Sequence, residues 1–157
     1  MHFELHDNFF ALFGSPWFLS AFCAWMIAQA AKLVVALIDT RRIDFRYFVS
    51  TGGMPSAHSA MVTGLATSVG LTEGFDTAVA VVAVSFAAIT MFDAAGVRRA
   101  AGQQATVLNK IMDEFFHTHR LSEARLKELL GHTRFEVFCG LLIGIFTAMG
   151  ICARVSL

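Results

Sequence analysis

The sequence predicts an all-α fold: a polytopic membrane helix bundle of about four transmembrane helices plus one amphipathic interfacial helix. Three observations predict it. The 157 residues are 56% hydrophobic and only 15% charged, with a mean hydropathy of +0.62, a balance foreign to a water-soluble domain of this size. Four apolar stretches reach or approach the roughly 20 helical residues that a hydrocarbon core demands. Between the third and fourth of them, apolar residues recur at helical spacing among polar ones. Residues 1–157 read as a single integral membrane domain, without internal repeat or low-complexity tract.

The first span covers about 17–38. Ahead of it, MHFELHDNFF carries an acid and two histidines where a secretory signal would carry Lys or Arg, so no cleaved targeting segment is expected. The second, about 56–71, is diluted by Ser56, Ser59, Thr63, Thr67 and Ser68, but Ala60, Gly64 and Ser68 recur every fourth residue, a ridge suited to burial among helices. The third covers about 77–95. The fourth, about 135–153, contains the step Gly140-x-x-x-Gly144, which serves close helix packing or a dimer contact. In the intervening segment, about 105–130, Val107, Leu108, Ile111, Met112, Phe115 and Phe116 form the apolar stripe of a helix lying at the interface. Leu121–Leu130 reads as a second short helix ended by Gly131.

Ten of the 12 lysines and arginines fall in two segments: Arg41, Arg42 and Arg46 after the first span, and the seven from Arg98 to Arg134 after the third. Both segments therefore belong on one face, and the positive-inside bias makes it cytoplasmic, in a bacterial inner membrane. The opposite connection, residues 72–76, is short and acidic. A net charge of zero offers no basic field for nucleic acid. Cys23, Cys139 and Cys152 sit in apolar stretches without metal-ligand spacing and read as small hydrophobes.

The polar residues at the basic face carry the chemistry. In Gly52-Gly53-Met54-Pro55-Ser56-Ala57-His58-Ser59 the glycines let the backbone fold closely, Pro55 suits a first helical turn, and the N–H groups of that turn attract a phosphate. His58 falls in the same turn, and Ser56 and Ser59 can donate hydrogen bonds. The fourth span opens on Gly131-His132-Thr133-Arg134-Phe135-Glu136. Thr133 and Glu136 match a capping box; alternatively Glu136 orients the His132 ring, as the acid does in a catalytic triad. The two roles are expected to need different rotamers. Asp93, Arg98 and Arg99 close the third span, where arginine forks suit phosphate oxygens and Asp93 can hold one of them. Lys32 lies inside the first span, where an ammonium costs a few kcal/mol unless it snorkels or finds a partner.

Gly53-Met54-Pro55-Ser56-Ala57-His58-Ser59 resembles the second motif of the type-2 phosphatidic acid phosphatases, within the acid phosphatase and vanadium haloperoxidase superfamily. His132, Glu136, Val137 and Gly140 resemble its third, H-x-x-x-D-V-x-x-G. With DAAGVRRAAGQQA between them, the pattern is similar to the divergent branch of that family from Lys32 to Gly144. The resemblance implies a lipid-phosphate phosphatase working through a phosphohistidine, with membrane lipids around it and no cofactor. It implies His132 as nucleophile, His58 as the acid for the leaving group, and Glu136 in place of the family's orienting aspartate. Lys32, Gly53, Ser56, Asp93, Arg98 and Arg99 would form the phosphate cradle. Asp39 stands where the family's first motif has an arginine, and no arginine lies a few residues before His132, Arg125 being seven away. Four spans instead of five or six leave a smaller bundle, from which a homodimer is expected. Most bacterial relatives face the periplasm, against the cytoplasmic orientation read from charge.

Three other readings use the same residues. A phosphotransferase would pass the phosphoryl group to an acceptor other than water. A metal site would draw on Asp113, Glu114, His117 and His119, although His-x-His is not a helix-face spacing, and no metal is expected. A non-enzymatic transport or assembly protein would leave Lys32, His58 and His132 unexplained together.

Overall fold

Four of the described helices start on a hydroxyl residue that caps them: Ser15, Ser56, Thr77 and Thr133. The structure, a computed structural model, describes residues 5–41, 53–116 and 132–155. Among them are six helices: α1 (Leu5–Gly14), α2 (Pro16–Thr40), α3 (Ala57–Glu73), α4 (Ala78–Ala95), α5 (Val97–Phe116) and α6 (Arg134–Val155). Ser15 caps α2 through Trp17 N, with Pro16 in the first turn. Ser56 caps α3, and Thr77 caps α4 through Ala80 N. At its other end α2 stops where Arg41 takes a left-handed φ of 53° and its N–H closes on Leu37 O.

The all-α expectation holds, and the predicted spans match helices to within a few residues. Among the described residues three helices are long and apolar enough to cross a membrane: Pro16–Ile38, Ala78–Ala95 and Arg134–Val155. The fourth, α3, has 17 residues, about 25 Å at the helical rise. Three details differ from expectation. Pro55 stands one residue before the cap, because Ser56 takes the N-cap with its hydroxyl. The amphipathic helix starts at Val97 rather than near Ala105, since Gly96 is the only break after α4 and the polar run that follows is itself helical. An unforeseen α1 precedes the first span; Ser15 alone separates the two, and an edge-to-face contact of Phe13 with Phe18 joins them. The predicted Leu121–Leu130 helix and the side chains of the Asp113–His119 cluster lie outside the described residues.

The polar helix α3 is the most enclosed, surrounded by α2, α4 and α6. Lipid tails are as apolar as any side chain, so association inside a bilayer depends on close contact and hydrogen bonds rather than on expelling water. The residues facing α3 are accordingly small. Ala24 and Ala28 of α2 meet Ala57 and Ala60, and Ala87 of α4 meets Val62 and Ala66. A methyl added at Gly140 would strike the Ser56 carbonyl, and one at Gly144 would strike Thr63 Oγ1 and the backbone of Ala60. The Gly140/Gly144 step thus packs α6 on α3 within the chain.

Cross-contacts fix the directions. Ser56 N donates to Glu136 O at 3.0 Å, and Ser68 Oγ lies 3.4 Å from Cys152 Sγ, so α3 and α6 run parallel. Trp17 Nε1 donates to Thr72 Oγ1 at 2.6 Å, and Gly64 abuts Ser20 and Ala24, so α2 runs antiparallel to them. His132 N donates to Ala94 O at 3.1 Å, bringing the end of α4 to the start of α6. The starts of α3 and α6, the end of α4 and the Lys32 region of α2 therefore share one end of the bundle.

Candidate active site

The start of α6 is built as a capping box with one extra member. Glu136 N donates to Thr133 Oγ1 at 3.3 Å, and Thr133 N donates to Glu136 Oε2 at 3.4 Å. The same Oε2 lies 2.7 Å from His132 Nδ1. The expectation that capping and ring orientation need different rotamers is therefore wrong. His132 immediately precedes the cap, so its ring folds back over the same carboxylate oxygen that the Thr133 amide reaches. A carboxylate only accepts; the contact thus places a proton on Nδ1, so that in the neutral ring Nε2 is the nitrogen that carries the lone pair. Nε2 is buried and has no hydrogen-bond partner among the described residues, and the residue as a whole is only 2% exposed.

The start of α3 supplies the facing wall. Ser56 Oγ accepts from Ser59 N at 3.3 Å and lies 3.0 Å from Ser59 Oγ, both side chains fully buried. These contacts pin the first turn, in which His58 is the second residue. Its ring centroid lies 6.4 Å from that of His132, the planes tilted by 59°. Gly53 opens the approach to the cap with a φ of 87°, a conformation that strains any residue with a Cβ.

Lys32, 4% exposed, is the charged member on α2. Its ammonium interacts electrostatically with the Glu136 carboxylate, joining it to the imidazole pair and giving the intramembrane charge a partner. Asp93 is half-buried beside Ala94, whose carbonyl holds His132 N. The backbone of Arg98 and Arg99 forms the first turn of α5 instead of the tail of α4; their side chains lie outside the described residues, as does Arg125. Sequence reasoning missed Gln29, 5% exposed, one turn from Lys32 on α2, whose Oε1 has no partner among the described residues. The signal was available: apart from Ser20, Gln29 is the one uncharged polar residue in the span, three positions from Lys32.

Two histidines that start parallel helices, one backed by an acid four residues on, reproduce in space the order of motifs read from the chain. The Divergent PAP2 family profile matches residues 13–147, which include every one of these side chains. The chain belongs to the Divergent PAP2 family. Within that likeness it is 44% identical over 142 residues to the uncharacterized membrane protein YuiD of Bacillus subtilis (strain 168), an alignment covering 83% of this chain and 90% of YuiD. No solved structure matches the chain. As a member of the family it is a membrane protein, and its match runs from the end of α1 nearly to the end of α6.

Proposed function

We propose that this family member is a membrane phosphatase that removes the terminal phosphate of a lipid through a phosphohistidine. The observation that carries the reading is the pair of imidazoles 6.4 Å apart between ring centroids, one of which has Nδ1 tied to a carboxylate and Nε2 without a partner among the described residues. A packing role for His132 alone would not call for an oriented ring with a buried lone pair.

The reaction follows from those roles. Phosphate is held by the first-turn N–H groups of α3, by Lys32 and by the arginines at the same face, and these also stabilise the charge that grows on its oxygens in the transition state. The His132 Nε2 lone pair forms the N–P bond as the ester P–O bond breaks, and the departing alkoxide takes a proton from His58. Glu136 accepts from His132 Nδ1–H and offsets the positive charge developing on the ring. Water then attacks phosphorus, giving one proton to His58, and the N–P bond breaks to release inorganic phosphate and neutral His132. Ser56 holds the turn that carries His58, Gly53 admits the close backbone approach, and Asp93 steadies the end of α4. The basic face, and with it the pocket, is assigned to the cytoplasmic side of the inner membrane.

The test is phosphate release by the purified protein from phosphatidic acid, phosphatidylglycerol phosphate and polyprenyl phosphates, with and without chelator, repeated on His132→Ala. Release that depends on His132, accompanied by an acid-labile phosphoprotein on rapid quench, is expected. Wild-type rates from His132→Ala would remove the proposal.

A further inference from the structure

Gln29 of α2 stands close to the imidazole pair without a part in the two steps above. It is 5% exposed, and its Oε1 is buried with no hydrogen-bond partner among the described residues. A buried acceptor without a donor costs free energy that a leucine of similar size would not, so its partner is to be sought among the species that pass through the site.

Register and rotation bring the amide beside His58. Gly64 abuts Ala24 and the two helices run antiparallel, which sets Gln29 level with Ser59 and Lys32 level with Ser56. Gln29 therefore lies about 1.5 Å along the bundle axis from His58. Ala28 and Ala57 both point into the contact between α2 and α3, and Gln29 and His58 each follow by one residue, a rotation of about 100°. On antiparallel helices that rotation carries both side chains to the same side of the pair. Lys32, turned about 40° from Ala28, flanks that side too.

The chemistry of the atom selects its partner. A carbonyl oxygen only accepts. The phosphate dianion and the departing alkoxide bring lone pairs and no proton, so neither satisfies it, and the Lys32 ammonium is drawn to the Glu136 carboxylate. Water is the one reactant with two protons to offer. We infer that Gln29 holds the attacking water of the second step: Oε1 accepts one O–H while neutral His58 accepts the other, which leaves a lone pair of the water turned to phosphorus. The inference rests on the phosphohistidine reading. As the O–P bond forms, the proton facing His58 moves to its ring and the N–P bond breaks, its electron pair returning to His132 Nε2. The proton on Gln29 stays with the new phosphate as its P–OH. An alcohol has one O–H, spent on His58, and leaves Oε1 unsatisfied. The amide thereby favours water over alcohols as acceptor and makes the site a hydrolase in preference to a phosphotransferase.

The test uses the full chain in detergent micelles with phosphatidic acid, phosphatidylglycerol phosphate and a polyprenyl phosphate, each radiolabelled in the terminal phosphate, and methanol as a competing acceptor. In Gln29→Leu the dephosphorylated lipid of the first turnover should form within about three-fold of the wild-type rate, while phosphate release falls about 10²-fold and acid-labile phosphoprotein accumulates. The ratio of methyl phosphate to inorganic phosphate should rise about ten-fold. Both products come from one intermediate, so the ratio does not depend on how much of the variant folds. Gln29→Glu, which keeps an acceptor, should return the ratio toward wild type. An unchanged ratio in Gln29→Leu, or equal slowing of both steps, would overturn the inference. Slowing confined to the first step would overturn it as well, since the amide would then be donating to phosphate through Nε2. A wild type that forms no phosphoprotein on any of the three lipids would instead retire the phosphohistidine reading, and the water site with it.

Discussion

The starts of α3 and α6 are nearly the same object built twice, and their difference assigns the chemistry. Each is an α-helix capped by a hydroxyl residue at the same end of the bundle, and each presents a histidine. In α3 the histidine follows the cap and is carried by the helix itself, its position fixed by the Ser56–Ser59 pair. In α6 it precedes the cap, outside the helix, where the ring folds onto Glu136. A residue before the cap can be oriented by a side chain one turn ahead; a residue inside the first turn moves only with its helix. The first arrangement suits a group whose lone pair must be aimed, and the second a group that stands beside an anion held by backbone N–H groups.

Removing the aimed group breaks the comparison most severely: His132→Ala should abolish phosphate release, a loss of at least about 10⁴-fold measured as initial rate. His58→Ala should cost less, about 10²–10⁴-fold, and the loss should shrink on an aryl phosphate whose leaving group needs no proton. An equal deficit on alkyl and aryl esters would refute the acid role of His58. Glu136→Gln separates the two duties of one oxygen. Glutamine still completes the capping box, so thermal stability should hold while kcat falls by about 10²-fold or more, because the charge that supports His132 is gone.

Stability experiments sharpen the same contrast at smaller scale. Gly144→Leu, which drives a side chain into Thr63 and the α3 backbone, should destabilise by about 1–3 kcal/mol and lower activity with it, since α6 can no longer hold His132 against His58. Thr133→Ala should cost about 1 kcal/mol in a detergent unfolding assay yet leave kcat within a few-fold, the Glu136 contact to His132 being separate. A kcat loss as large as that of Glu136→Gln would mean that the cap, not the carboxylate, aims the ring.

Much of this was legible in one chain because the determinants are local. Capping residues sit next to the helices they start, apolar runs count out membrane spans, and the ridge Ala60, Gly64, Ser68 marks the helix that is most enclosed. What escaped depended on geometry beyond a few residues. The single Glu136 oxygen serving both ring and cap could not be read from spacing, since the same sequence is compatible with two rotamers. Gln29 attracts notice only once its burial beside Lys32 is known. The helical start of α5 at Val97 was hidden by Gly96, which reads as an end and acts as a hinge point between two helices.

By itself, then, the sequence determined that the chain is a helical membrane protein, which residues begin each span, and which polar groups belong to one face, because hydropathy, capping and charge act over single turns. Only the tertiary structure decided that the two imidazoles meet. That depends on glycines 140 and 144 letting α6 lie against α3 in parallel and in register, a contact between segments some eighty residues apart whose register no local preference can set.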